Sequence, residues 1–341
     1  MTAETNIKKR IVWLDILKFG LMLLVILGHS IQSVYLETGQ DFMSSYLWRL
    51  IYSFHMPAFM AVSGYLAYRA KAPGNMLTGT VRRFKQLIVP FILWSVIMFF
   101  VNHNTLQIYD YILFPNKSYW FLWALFFIFI IFNGVQHISY KLKIKEEICI
   151  VFTAMALIIG KACISNPKFL GYEYVSYYFI YYSMGYLINK YKHLLPRNMF
   201  IISVLAVIWF VLGSYWHSYA IPSIIPTALH SIFMLNVLYR ILTATIFIVT
   251  MFSICQIFNN SDNKSVTIDY LASLGKISLG LYTVHMVLRR YLVKSLIILL
   301  PNAKDFIYIS ITFILLTLLS VIIVNLLERY KLSALLFLGK S

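Results

Sequence analysis

Ten apolar runs, each of about 17–23 residues, recur along the chain and are separated by short polar stretches rich in Lys and Arg. They fall near 12–34, 50–68, 86–103, 119–136, 148–164, 173–189, 199–216, 238–258, 276–297 and 306–327. The runs are apolar on nearly every helical face, unlike a soluble amphipathic helix, which keeps one polar side. A helix of this length crosses a hydrocarbon core while satisfying all its backbone hydrogen bonds internally. The pattern predicts an all-α integral membrane protein with about ten transmembrane helices. Residues 217–237 break it: Pro222 and Pro226 interrupt the stretch and 232–237 is too short to cross. This stretch is expected to be a long outer loop with room for an interfacial helix.

Composition agrees. Of 341 residues, 60% are hydrophobic, mean hydropathy is +0.77, and only 12% are charged, against about 25% in soluble domains. The first apolar run is longer than a signal-peptide core and carries Asp15 and Lys18, so no cleavable signal peptide is expected. The net charge of +17 follows the positive-inside rule, and nucleic acid is not an expected partner. With the N-terminus inside, 18 of the 29 Lys and Arg fall in cytoplasmic segments and four (Arg49, Lys117, Lys168, Lys304) in outer loops. That asymmetry predicts cytoplasmic termini at both ends and an even number of spans. One transmembrane domain is expected over 1–341, with its core at about 11–330 and no soluble domain. Cys149, Cys163 and Cys255 lie in apolar segments without ligand spacing, so neither a disulfide framework nor a metal site is predicted.

Titratable groups inside spans are costly and mark function. Asp15, Lys18 and His29 share the first span, and an offset of eleven residues puts Lys18 and His29 on one stripe, roughly 16 Å apart along the axis. Asp15 and Lys18, three residues apart, can pair. His55 opens the second span from the outer side, at a depth similar to His29. Arg82, Arg83 and Lys85 gather at the cytoplasmic mouth, ahead of Pro90. A long anionic cosubstrate fits this layout, with phosphates among Lys18, Arg82, Arg83 and Lys85 and its reactive end reaching a histidine, a side chain suited to general-base work. His285 and Arg289, four residues apart, share a helical face. Glu37 and Asp41 read as solvated loop charges. The run Tyr172, Tyr174, Tyr177, Tyr178, Tyr181, Tyr182 and Tyr186 reads as interfacial belt and packing.

Five segments in order resemble the membrane acyltransferase-3 family: Asp15-x-x-Lys18-x₁₀-His29; Ser53-Phe54-His55-Met56-Pro57-Ala58-Phe59 with Ser63-Gly64-Tyr65-Leu66; Arg82-Arg83-x-Lys85-x₄-Pro90; Trp120-Phe121-Leu122-Trp123-x-Leu125; and Ser278-Leu279-x-x-Tyr282-x-x-His285. The resemblance is closest to members that O-acetylate sugars. It implies transfer of an acyl group, acetyl by expectation, from cytoplasmic acyl-CoA to a hydroxyl of a cell-surface polysaccharide or lipid-linked glycan. It also implies a bacterial cytoplasmic membrane, with acetyl-CoA as the donor cosubstrate. The family's catalytic histidine maps onto His29, with His55 as a second catalytic candidate. The family's arginine eleven residues earlier is Lys18 here, which keeps the charge and loses the bidentate fork. Asp15, Ser63, Trp120, His285 and Arg289 are the expected substrate-side residues. A transporter or flippase for a glycan or small anion is the rival reading, because it would use the same buried polar groups as a pathway.

Overall fold

The computed structural model describes residues 11–68, 76–102, 107–218, 222, 225, 233–258 and 266–340. Among these residues there is no strand. The helices are α1 (Val12–Glu37), α2 (Tyr46–Tyr52), α3 (His55–Ala67), α4 (Met76–Arg83), α5 (Val89–Val101), α6 (Ile108–Leu113), α7 (Trp120–Leu142) and α8 (Glu146–Cys163), followed by α9 (Tyr172–Lys190), α10 (Met199–Ser214), α11 (Phe233–Phe258), α12 (Val266–Lys276), α13 (Ser278–Leu299), α14 (Asp305–Glu328) and α15 (Lys331–Leu338).

Every expected span has a helix at its position. Among the described residues, six are long and apolar enough to cross a membrane: α1, α2 with α3, α4 with α5, α7, α11 and α14. α12 and α13, bent by 63° about Ile277, make a seventh when taken together as one span. The other three expected spans correspond to α8, α9 and α10. α10 has 16 residues. α8 carries Glu146, Glu147 and Lys161 in its end turns, and α9 carries much of the tyrosine run.

Several boundaries differ from the sequence reading. The 50–68 span is two helices, broken at Ser53–Phe54, with Pro57 in the first turn of α3, where its missing N–H costs least. Residues 266–275, read as cytoplasmic loop, belong to α12. α11 begins at Phe233, inside the stretch read as outer loop; most of that stretch lies outside the described residues. Between α4 and α5 the chain makes a π-helical turn, Phe84–Ile88. Pro90 has no N–H to give the Gln86 carbonyl, and the turn before it widens.

α1 is the hub, packed against α2, α3, α12, α13 and α14. Two contacts are too close for any side chain. A Cβ on Gly275 would sit 1.8 Å from the Asp15 carbonyl oxygen, so α12 lies directly on α1. Gly64 and Gly185 face each other's helices in the same way, against the Tyr182 and Ala61 carbonyl oxygens respectively, and lock α3 to α9. Small residues at such crossings let backbones approach where lipid supplies no hydrophobic drive.

Candidate active site

His29 lies about two turns from the C-terminal end of α1 and meets a residue 256 positions away. Its Nδ1 is 2.8 Å from Nε2 of His285, with the two rings stacked at 5.1 Å. The second nitrogen of His285 fixes the proton positions. Nδ1 of His285 is 2.8 Å from the Leu281 carbonyl oxygen, which can only accept. In the neutral ring that nitrogen therefore carries the proton and Nε2 has the lone pair. His29 then donates from Nδ1 to His285, and its own Nε2 is left with a lone pair. This is the tautomer a general base needs, held by a neighbour whose own tautomer is set by a backbone carbonyl. His55 is buried, and its Nδ1 donates to the Ile51 carbonyl at 2.8 Å across the α2–α3 break. Its ring lies edge-on to Tyr52, 4.6 Å between centroids. Tyr52 in turn reaches α1 because Gly28, beside His29, has no side chain: a Cβ there would meet the Tyr52 ring at 2.9 Å.

Below the histidines is a cavity of about 290 Å³. Its mouth is cationic, lined by Lys18, Arg83, Lys276 and Lys340, and no Asp or Glu is among its lining residues. Lys18 pairs with Asp15 at 2.6 Å; Arg83 donates to the Gln86 side chain at 3.2 Å and lies over the Phe129 ring. Ser63, Phe59, Val25, Met56 and Tyr282 also line it. The last three lie within one helical turn of His29, His55 and His285 in sequence, and the histidines themselves are not among the lining residues.

A cationic cavity and a positioned imidazole are parts an acyl transfer from a long anionic donor requires. The family model described as an acyltransferase domain, of the acyltransferase-3 type, matches residues 11–325. The chain belongs to the acyltransferase-3 family. Among curated relatives, the Nodulation protein NolL of Mesorhizobium japonicum is 29% identical over 188 residues, which is 51% of this chain and 46% of that protein. The Nodulation protein NolL of Sinorhizobium fredii is 31% identical over 131 residues, 36% of each. The matched segments thus span less than half the length of these relatives. No solved structure matches the chain.

The other residues expected at an acyltransferase-3 site are distributed unevenly. Arg82 and Lys85 are exposed and do not line the cavity. Asp15 is buried at the mouth behind Lys18. Trp120 stands apart from the histidines, stacked on Tyr174 and Tyr178 at 4.5 and 5.0 Å. Arg289 lies one turn beyond His285, within electrostatic reach of His29, Tyr52, Tyr119 and Tyr282. No carboxylate among the described residues forms an ion pair with it. Of the tyrosine run, Tyr181, Tyr182 and Tyr186 are core residues, and Tyr177 lies under the Arg240 guanidinium. Asp41 caps its own turn by accepting from the Met43 N–H, and Glu37 is exposed. Sequence reasoning missed Lys276 and Lys340. Both look like ordinary inside charges, and only the fold brings them to the cavity.

Proposed function

We propose that this chain is a multi-pass membrane O-acyltransferase that moves an acyl group, acetyl by expectation, from cytoplasmic acyl-CoA to a carbohydrate hydroxyl. In this reading ten helices cross a bacterial cytoplasmic membrane, both termini are cytoplasmic, and the acceptor is a surface polysaccharide or lipid-linked glycan on the outer side. The observation that carries it is the His29–His285 pair, within one helical turn in sequence of Val25 and Tyr282, which line the cavity that also holds Lys18 and Arg83. The phosphates of acyl-CoA sit at Lys18 and Arg83, and the pantetheine arm runs toward His29, roughly 16 Å up α1.

His29 Nε2 takes the proton of the acceptor hydroxyl as that oxygen attacks the thioester carbonyl. The C–O bond forms and a tetrahedral oxyanion develops, to which Arg289 offers positive charge. The oxyanion collapses, the C–S bond breaks, and the thiolate takes the proton back from His29. His285 Nε2 accepts the His29 Nδ1–H throughout and steadies the imidazolium in between. The acyl group is thus passed on with no net gain or loss of protons.

The test is CoA release from acetyl-CoA by purified, reconstituted protein with native glycan extract, for wild type and His29→Ala. Glycan-stimulated release that disappears in His29→Ala while acetyl-CoA still binds is the expected result. Equal release by the variant, or none by wild type, would sink the reading.

A further inference from the structure

The family match ends at residue 325, yet the chain continues and folds back onto the cavity. After Arg329 and Tyr330 it forms α15, which packs on α5, α14 and the π-helical turn. Two contacts fix it there. The indole N–H of Trp94 on α5 donates to the Phe337 carbonyl at 2.8 Å, with the two rings edge to face. Gly339, at φ +63°, takes the left-handed conformation that ends the helix, and any Cβ on it would lie 2.2 Å from the Gln86 carbonyl oxygen. Leu338, Gly339 and Lys340 consequently line the cavity together with Lys18 and Arg83. Lys340 also pairs with Glu328 at the end of α14. Lys276, at the α12–α13 bend, is exposed and lines the same cavity.

We propose that residues 338–340, held in place by α15, complete the donor site, and that Lys340 and Lys276 bind the phosphate groups of the acyl-CoA, a role that rests on the donor reading given above. The chemistry favours it. An ammonium has three donors and can hold a carboxylate and a phosphate together, while Lys276 meets solvent and is open to an anion. Glu328 then acts as a placeholder. It holds Lys340 at the rim of the cavity and competes with the incoming phosphate for the same charge. A residue that merely braces the helix end would gain nothing from losing its partner, and this gives the two roles opposite signs.

The experiment is equilibrium binding of CoA and of S-acetylpantetheine, which lacks the nucleotide phosphates, to purified full-length protein in detergent. Lys340→Gln and Lys276→Gln should each weaken CoA binding about tenfold and leave S-acetylpantetheine binding unchanged. Glu328→Gln should tighten CoA binding about threefold. Lys331→Gln, on the exposed face of α15, serves as the control and should match wild type. If Lys340→Gln does not fold, Lys276→Gln and Glu328→Gln still decide the matter. CoA affinities within twofold of wild type in Lys276→Gln and Lys340→Gln would overturn the proposal, as would Glu328→Gln weakening CoA in step with Lys340→Gln. Wild type that binds no CoA would remove the donor reading itself, and this proposal with it.

Discussion

The Leu281 carbonyl sets the chemistry at the residue scale, although it belongs to no motif. Its hydrogen bond to His285 Nδ1 fixes one tautomer, and the 2.8 Å bond to His29 passes that choice on. Removing His285 leaves His29 Nδ1–H unsupported, and the ring can then present either nitrogen. His285→Ala is therefore expected to lower kcat about a hundredfold with little change in KM for the donor, within the range typical of general-base support. His285→Gln, whose amide oxygen can accept the same proton, should recover part of that loss. Arg289→Met should lower kcat by about 10²–10³-fold, as for loss of one oxyanion partner, while acetyl-CoA binding measured directly stays intact. Steady-state kinetics beside a binding isotherm separates these outcomes from simple misfolding.

At the scale of elements, two joints hold the bundle and both can be tested. At the α3–α9 crossing, Gly64 and Gly185 each face a carbonyl oxygen where a Cβ would stand at 1.8 Å. Gly64→Val or Gly185→Val must push the helices apart. Each should cost about 2–3 kcal/mol or more, seen as a lower melting temperature in detergent, whereas Gly20→Ala, with open space around it, should be neutral. The second joint ties the start of α8 to the end of α9. Lys190 bonds Glu146 at 3.0 Å and Glu147 at 2.7 Å, and Tyr191 donates to Glu147 at 2.6 Å. Burial alone would raise the Glu147 carboxyl, but the bonds from Lys190 and Tyr191 outweigh it and hold it down to about 2. A depressed carboxyl stabilises the fold above its ordinary value near 4.5 and stops doing so as pH falls toward 2. Wild type should lose melting temperature across that window, and Glu147→Gln should show a flatter profile. The helices themselves were legible in the sequence because apolar length is read directly from residue order. The joints were not, because a glycine's meaning depends on which carbonyl faces it. α12 escaped for a related reason: its helix sits in a polar stretch, and what holds it is Gly275 against α1.

For the whole molecule, the part of the site carried by one helix was readable and the part assembled across helices was not. Asp15, Lys18 and His29 announce themselves through the period of α1, and His55 through its depth in the next span. His285 was visible as a buried polar residue, but its partnership with His29 links the first span to the ninth, and no local spacing encodes that. Arg82 and Lys85 belong to the same basic cluster as Arg83 in sequence, yet consecutive helical positions point in different directions and only Arg83 turns toward the cavity. The separation of the cationic lining from the histidines has an electrical consequence. On the proposed reading, the nucleotide end of the donor stays among lysines at one face while only the acyl group, formally an acylium equivalent of one positive charge, travels on. The hydroxyl proton moves the other way, ends on the departing sulfur and cancels it. No net charge crosses the bilayer in a turnover. Membrane voltage should therefore neither drive nor brake the enzyme: in proteoliposomes, an imposed potassium diffusion potential of either sign should leave the rate of glycan acylation unchanged.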